Sequence, residues 1–209
     1  MLLRIRVRLP DRPGSLGKVA RTLGAAGADV VQMAVLEQDA GRALDDFTVL
    51  WPAGVSADRL TKGLAAVPGV SVEGLWPTIE AQGAHSDVAL VGQLAVSPED
   101  GLLILTDALP GIISADWAAL LHLGPGKLVH MSLGGPAEYA LPEIEPLRAR
   151  AFQGRDGTQY ALAPITGTDL AIVVAREHAP EFHRTEVDRL EQLIATAGSV
   201  LGDRLAFLV

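Results

Sequence analysis

The sequence predicts an α+β protein of two domains, and three observations lead to this fold class. Residues 1–79 show strand and helix patterns in the order strand, helix, strand, strand, helix, strand. Residues 87–209 contain two hairpin patterns between helical ones. Charge is uneven, since residues 1–80 hold nine basic and nine acidic side chains, whereas residues 81–209 hold eight and sixteen. A neutral half and an acidic half fit two domains joined by a linker at 80–86.

Each element of the first half has its own signal. Apolar residues alternate with arginines over 2–9, which predicts a half-buried first strand. Helical spacing over 15–26, followed by Gly27, predicts a helix with a glycine at its C-terminus. Two strands, a helix and a strand are then predicted at about 30–37, 43–51, 57–67 and 70–76. This order of six elements predicts a ferredoxin-like βαββαβ sandwich.

The second half predicts an antiparallel sheet with flanking helices. Asp87 is expected to cap an apolar helix at 88–96, and a second helix begins with Ser97 as N-cap and ends near Pro110. Two hairpins follow, separated by an irregular connection, and a final helix starts at Thr185. The strands are predicted at 117–123, 128–133, 159–165 and 169–176, with a turn at 124–126 and a short helix at about 142–151.

The loop between the first strand and the first helix carries the strongest functional signal. Pro13 and Gly14 make the turn tight, and Gly14 lets a ligand approach the backbone without a Cβ in the way. Free N–H groups at the start of the helix attract carboxylates, and Asp11 lies at the mouth of the turn, where it could hold an ammonium. Together they describe an amino-acid pocket. The alternative is a strand-to-helix turn with no ligand.

This loop reads Asp11-Arg12-Pro13-Gly14-Ser15-Leu16, and with it residues 1–79 resemble an ACT domain, in which a D/N-x-P-G-x-L loop follows the first strand. The resemblance implies a small module that senses amino acids and related effectors at the interface of paired ACT domains. The loop backbone would take the effector's carboxylate, and the start of the second strand would supply the partner's side. The expected effector-binding residues are Asp11, Arg12, Pro13, Gly14, Ser15, Leu16, Asp29, Val30 and Val31.

The segment at about 87–207 resembles a GAF domain, a fold built on an antiparallel sheet with helices at its ends. The resemblance is carried by residues 109–116, by the two hairpins and by residues 182–186 ahead of the last helix. No cysteine is available to attach a bilin chromophore, and the polar signature of cyclic-nucleotide-binding members is missing. The ligands of that family therefore carry over to no position of this chain.

Composition excludes several classes of protein and site. The chain has no cysteine, which excludes disulfides, thiol nucleophiles and thiolate metal sites, and its five histidines show no metal-ligand spacing. We therefore expect no cofactor and no metal. The acidic second half argues against nucleic-acid binding, and no uncharged apolar run is long enough to span a membrane. With no signal-peptide pattern in the first residues, we expect a cytoplasmic protein.

Two charged groups in the first half have simple interpretations. Arg4, Arg6 and Arg8 point to one side of the first strand, where they form either a solvated sheet face or a contact surface for the acidic second half or a partner subunit. Asp45 and Asp46 are predicted to lie in a solvated turn. A calcium loop would need more oxygen ligands at fixed spacing.

No catalytic site can be assembled from the sequence, which lacks Gly-x-Ser-x-Gly, Walker and Gly-x-Gly-x-x-Gly motifs. The leading hypothesis is a non-catalytic, allosteric sensor that binds an amino acid and forms a homodimer through its ACT domains. The wide apolar face of the last helix, with Leu193, Val200 and Phe207, indicates either helix pairing between subunits or a fully used core face. The alternative function is a protein-interaction or dimerisation module with no effector, and an enzyme is the third class.

Overall fold

The chain folds as two compact units, Met1–Ala81 and Gln82–Val209, each built on one antiparallel sheet with flanking helices. The predicted α+β class is therefore confirmed. The computed structural model describes residues 1–78, 86–124, 126–139, 142 and 144–202. Most of the predicted linker at 80–86 lies outside the described residues, as does Pro125 of the predicted turn at 124–126. The domain limits remain a prediction.

The first unit contains the six elements that the sequence predicts, in the predicted order. They are β1 (Leu2–Pro10), α1 (Ser15–Ala26), β2 (Asp29–Asp39), β3 (Arg42–Leu50), α2 (Asp58–Ala65) and β4 (Ser71–Thr78). The sheet order is β2-β3-β1-β4, and all neighbouring strands are antiparallel, which is the ferredoxin-like topology. Because β3 separates them, β1 and β2 run parallel to each other and end at the same edge of the sheet.

One face of this sheet forms an apolar core under α1 and α2. Ile5, Val7 and Val49 have no exposed surface, and the helices contribute side chains spaced three and four residues apart. The buried helix residues are Val19 and Leu23 of α1 and Leu60 and Leu64 of α2. Burial of each such side chain contributes about 1.5–3 kcal/mol, which is why the two helices form at these positions.

The opposite face carries a buried ion cluster around Asp46. Its carboxylate accepts hydrogen bonds from Arg4 Nε at 3.0 Å and from Arg6 Nε and Nη2, both at 2.8 Å. Both guanidinium groups lie over the Trp76 ring, 6.0 and 5.5 Å from its centroid. Arg4, Arg6 and Asp46 are only 4, 3 and 2 % exposed. The predictions of a solvated face at the two arginines and a solvated turn at Asp46 are therefore wrong.

Strand register explains the cluster. Arg6 lies directly opposite Asp46 in the β1–β3 ladder, and Arg4, two residues away, points to the same face. Arg8 is also on this face, but it is half-exposed and pairs with Glu37 at 3.4 Å and Glu73 at 3.6 Å. Arg4, Arg6 and Arg8 therefore pair with acidic residues of the same unit.

The described residues of the second unit form a five-stranded antiparallel sheet and three α-helices. Its elements are α3 (Ser86–Val96), α4 (Gly101–Ile113), β5 (Trp117–His122), β6 (Lys127–Met131), β7 (Arg150–Gln153), β8 (Gln159–Pro164), β9 (Leu170–Arg176) and α5 (Arg184–Leu201). The strand order is β6-β5-β9-β8-β7. One sheet face packs against the helices, and the other carries a smaller aromatic cluster. An antiparallel sheet flanked by helices was predicted for this half.

Two boundaries in the helical part differ from the prediction. Ser97 makes no side-chain capping bond; Pro98–Asp100 forms a single 3-10 turn, and α4 begins at Gly101. The helix also continues through Pro110 to Ile113 instead of ending at the proline. Its last turn is buried in the core. The free energy gained by that burial outweighs the loss of the backbone hydrogen bond that proline cannot donate.

The short helix predicted at about 142–151 is wrong. Among the described residues of 134–149 no helix is present, and Arg150–Gln153 forms β7, which pairs with β8. Phe152 of β7 stacks on Tyr160 of β8, with ring centroids 5.2 Å apart. Cross-strand packing of this kind overrides weak local helix propensity.

The final helix α5 is held at its start by a capping box and a buried ion pair. The backbone N–H of Thr185 donates to His183 Nδ1 at 3.3 Å, and the N–H of His183 donates to Glu186 Oε2 at 2.8 Å. Arg176, which has no exposed surface, donates to the same glutamate at 3.1 Å. The helix therefore begins at Arg184, one residue before the predicted start.

The apolar surface of α5 is used mainly inside its own unit. Leu193 is buried in the helix–sheet core and Val200 packs partly against it, so the core interpretation applies to both. Phe207 lies outside the described residues.

Within the described part of the chain, no single helix has the length and apolar character of a membrane span. The helices Asp87–Val96 and Pro98–Ile113 reach that length and apolar character only together, and they are bent by 115° relative to each other.

We expect Asp46→Ala to destabilise the chain by about 3–5 kcal/mol, because two buried guanidinium groups lose their counter-ion. Denaturant unfolding measures the free energy. The matched control is Glu37→Ala, which removes a partly exposed partner of Arg8 and should cost less than about 1 kcal/mol. Equal losses in the two variants would contradict the expected cost of leaving two buried guanidinium groups without their counter-ion.

Candidate functional site

The β1–α1 loop is anchored at both ends by backbone hydrogen bonds. The N–H of Asp11 donates to the carbonyl of Gly41 at 2.8 Å, which ties the loop to the β2–β3 turn. The N–H of Ser15 donates to the carbonyl of Arg12 at 3.2 Å and closes the turn. Ser15 is buried, whereas the residues from 11 to 14 are exposed. The loop is therefore a held, solvent-facing turn.

Gly14 allows the turn to enter the helix directly. Its φ of 87° and ψ of −10° lie in the left-handed region, which costs an L side chain about 1–2 kcal/mol. A Cβ added there would meet no atom within 4 Å. The backbone conformation thus favours glycine here, and no neighbouring side chain or loop crowds the position of its missing Cβ.

The N-terminus of α1 presents unused donors. Lys18 N–H donates to the carbonyl of Gly14 at 3.3 Å, but among the described residues the amides of Leu16 and Gly17 reach no acceptor. No side-chain cap is present and no acidic residue lies in the first turn. Two free amides and the positive end of the helix dipole favour a carboxylate at this point.

Asp11 lies beside these donors at the surface. Gln38 Nε2 of β2 donates to Asp11 Oδ1 at 3.4 Å, a long and weak hydrogen bond. The carboxylate therefore remains available to an ammonium group from solvent. Arg12 and Pro13 are exposed on the same turn.

Asp45 is a member of this region that the sequence interpretation missed. It is 3 % exposed, and its Oδ1 has no hydrogen-bond partner among the described residues. Burial is the largest cause that raises the pKa of Asp45 from 3.8 to about 6, and the negative charges of Asp11 and then Asp46 contribute in the same direction. The prediction of a solvated turn at Asp45 is wrong.

A signal for the burial of Asp45 was present in the sequence. Asp45 and Phe47 are two residues apart in β3, so they share the face on which Phe47 is packed. The acidic pair Asp45-Asp46 lies inside an alternating segment, and this segment forms β3 instead of a turn. Period-2 alternation places the two carboxylates on opposite faces of the sheet.

Within one chain, the start of β2 does not meet the loop. Asp29 pairs with Leu50, at the edge where β1 begins, whereas Asp39 pairs with Arg42 at the edge where β1 ends and the loop follows. The ten residue steps of β2 span about 33 Å. Asp29, Val30 and Val31 are all exposed. They can complete a site with the loop only if they come from a second copy.

The remaining polar groups form no metal site. Within the residues that the structure describes, no group of three or more His, Asp or Glu side chains could hold a metal ion. His130 Nε2 lies 2.8 Å from Asp107 Oδ1 at the surface. His122 Nδ1 is buried with no partner among the described residues. The two histidines are not paired opposite each other in the β5–β6 ladder.

An aromatic cluster covers the second face of the larger sheet. Trp117 makes edge contacts with Tyr139 and Tyr160, with ring centroids 5.7 and 6.0 Å apart. The Tyr139 hydroxyl is buried and has no partner in the described part of the chain, and burial raises its pKa far above the usual range. The Arg150 guanidinium lies over the Phe152 ring at the margin of this cluster, 4.2 Å from the ring centroid.

Comparison with known families identifies part of the first unit. Residues 3–50 match the ACT domain family, which confirms the resemblance over that range. The matched range contains every residue of the expected effector site, from Asp11 to Val31. No curated protein matches the sequence.

Several solved structures are similar to the chain. A formyltetrahydrofolate deformylase from Pseudomonas putida KT2440 is 17 % identical over 46 % of this chain, which spans only 38 % of the deformylase, with a TM-score of 0.33. A GAF domain from Pseudomonas syringae pv. tomato is 19 % identical over 58 % of this chain and 91 % of its own, with a TM-score of 0.40. The ligand-free regulatory subunit of aspartate kinase from Thermus thermophilus is 14 % identical over 96 and 93 %, with a TM-score of 0.31. Because these scores are low, the three likenesses carry no weight for function.

We expect Asp45→Asn to raise the free energy of unfolding by about 1–3 kcal/mol at about pH 7. The folded-state pKa of Asp45, about 6, lies above the ordinary value of 3.8, so the native state favours the protonated form. The part of the wild-type stability that depends on Asp45 is therefore fully present below about pH 4, and it is lost as the pH rises through about 6. Denaturant unfolding at several pH values should show the gain vanish below about pH 4.

The matched control is Asp58→Asn, at an exposed position in the first turn of α2. It should show no gain at neutral pH. A wild-type and an Asp45→Asn stability curve that run parallel across the whole pH range would contradict the raised pKa of Asp45.

Proposed function

We propose that this chain is a regulatory sensor that binds an amino acid at the interface of two paired ACT domains. One observation carries the proposal: the unused amides of Leu16 and Gly17 and the exposed carboxylate of Asp11 lie on the same loop. The match of residues 3–50 to the ACT domain family favours a regulatory, ligand-binding role over a catalytic one. The identity of the effector as an amino acid and the pairing of two ACT domains both belong to this proposal.

The chemistry of the loop fits a zwitterion. The effector's carboxylate would accept hydrogen bonds from the amides of Leu16 and Gly17, as anions do at helix N-termini. Its ammonium would pair with Asp11, which is held only by the long bond from Gln38. The open space above Gly14 would leave room for the effector's backbone. The effector's side chain would then point toward the second copy.

The dimer would form through β2, which is an edge strand of the sheet. Val31 and Val35 are 48 and 47 % exposed, and Val30 and Met33 are also exposed. An exposed apolar edge strand tends to pair with another strand. Antiparallel pairing of two β2 strands brings the start of one beside the end of the other, so Asp29, Val30 and Val31 of the second copy would approach the loop.

The same edge supports a second candidate function. A protein-interaction module with no effector would also use an apolar edge strand, and its loop would stay empty. The two functions differ in their response to small molecules. A ligand that binds only the native state must raise the melting temperature, whereas an empty loop gives no such response.

We expect at least one of the twenty L-amino acids, at millimolar concentration, to raise the melting temperature of the chain in a thermal-shift screen. Asp11→Ala should weaken that binding by about ten- to a hundredfold, because a charge-assisted hydrogen bond contributes roughly 1.5–3 kcal/mol. Calorimetry on the wild type and the variant measures the affinities.

Asp58→Ala is the matched control, since Asp58 is an exposed aspartate at the start of the other helix. Its affinity for the amino acid should equal that of the wild type. Unchanged affinity in a folded Asp11→Ala would remove Asp11 from the site. If none of the twenty amino acids binds, the interaction module becomes the better proposal.

We expect the chain to have twice its mass of 21.9 kDa in solution, and Val31→Lys to convert it to a monomer. A lysine on an edge strand opposes strand pairing, because pairing would remove its charge from water. Size-exclusion chromatography with light scattering measures the mass. Val55→Lys, at a similarly exposed valine outside the sheet, should remain a dimer. A monomeric wild type would contradict the assembly.

A further inference from the structure

We propose that Asp45 is a specificity-determining residue of the effector site: with Asp11 it selects an effector that places a cation at the loop, and it makes binding depend on pH. This inference rests on the proposed function and adds a residue outside the D/N-x-P-G-x-L motif. It also assigns a role to a buried carboxylate whose Oδ1 has no hydrogen-bond partner among the described residues.

The geometry places Asp45 at the loop end of the sheet. It pairs with Val7 of β1, four residues before Asp11, and with Val35 of β2, three residues before Gln38. Gln38 in turn donates to Asp11. The charge of Asp11 acts on Asp45 more strongly than that of its chain neighbour Asp46. Two carboxylates, one exposed and one buried, thus lie toward the same end of the sheet.

No cation of the unit compensates Asp45. It forms no ion pair among the described residues, and its Oδ1 accepts no hydrogen bond there. The charged groups on the neighbouring elements have other partners or lie at the surface. Arg4 and Arg6 of β1 bind Asp46, Arg8 pairs with Glu37 of β2 and Glu73 of β4, Arg42 of β3 donates to the carbonyl of Arg8, and Arg12 of the loop and Lys18 of α1 are exposed.

An uncompensated buried carboxylate is unusual in a native structure, because removing a charge from water is costly unless it is paired. A cation bound at Asp11 would supply the positive charge that Asp45 lacks nearby. A group that carries only negative charge would meet two carboxylates, although the helix N-terminus attracts it. The site therefore favours an effector with both an anion and an ammonium, and rejects the N-acylated form of the same molecule.

The same coupling makes binding pH-dependent. Burial and the charge of Asp11 hold the pKa of Asp45 at about 6, and a bound ammonium would lower it by attracting the ionised form. Binding would then release a proton from Asp45. No histidine occurs in residues 1–78, so no imidazole on this unit titrates in the same range. Affinity should rise roughly tenfold from about pH 5 to about pH 7.

The test follows the aspartate carboxyl carbons of the whole chain by NMR during a pH titration. The probes are the twenty L-amino acids, added singly at millimolar concentration, and the N-acetyl derivative of each one that shifts the Leu16 and Gly17 amide resonances. An amino acid that shifts these amides should lower the pKa of Asp45, and its N-acetyl derivative should not. The carboxyl of Asp58 serves as the internal control.

Two variants make the outcome decisive. Asp11→Asn, with no probe added, should lower the pKa of Asp45, and an unchanged value would overturn the coupling whether or not any amino acid binds. Asp45→Asn should bind the same amino acid with an affinity that no longer changes between about pH 5 and about pH 7. An amino acid that shifts the loop amides and leaves the pKa of Asp45 unmoved would refute this inference alone. If none of the twenty shifts the amides, the proposed function fails and this inference fails with it.

Discussion

The antiparallel pairing of β1 with β3 is the constraint on which the first unit depends. These are the two central strands, and their register decides which side chains face the helices and which face away. A shift of β3 by one residue would exchange its two faces, moving Asp46 under the helices, away from its arginines, and Phe47 out of the core. The apolar core and the ion cluster therefore enforce the same register from opposite sides of the sheet.

The cost of the cluster explains why register is so strictly set. Burying two guanidinium groups and one carboxylate is unfavourable unless their geometry is satisfied. Asp46 meets Arg6 through two bonds of 2.8 Å and also accepts from Arg4. In any other register the charges would be buried apart from one another. The cluster contributes little net stability compared with apolar packing, but it destabilises every other register of β1 against β3.

Much of the fold could be predicted from the sequence, because strongly periodic segments report their own burial. The six elements of the first unit, the turn at Pro13-Gly14 and the helix start at Ser15 follow from local pattern and turn chemistry. The continuation of α4 through Pro110 and the strand at Arg150–Gln153 could not be predicted, since tertiary packing decided both. The burial of charged residues was the hardest feature to predict. Arg4, Arg6 and Asp46 are charged and are expected at the surface, but they are buried together in the fold.

The candidate site was predicted only in part, for a related reason. The motif at 11–16 marks the loop, and the structure adds the two unused amides and the open space above Gly14. Asp45 belongs to a strand that the motif does not reach, and only three-dimensional proximity couples it to Asp11. A contiguous motif reports the residues of one turn. It does not report those that another strand brings beneath it.

The placement of Asp29–Val31 at the far edge of the sheet has a consequence for how such a sensor would respond to dilution. If the proposed site forms, a single chain would carry two half-sites, about 33 Å apart along β2, and neither would be complete. Two chains paired in antiparallel fashion hold two whole sites related by a two-fold axis. An effector lodged there would bridge the subunits, so that occupancy and assembly favour each other by mass action. The apparent affinity would then fall as the protein becomes scarce, and the cellular abundance of the chain would itself set the effector concentration at which it responds.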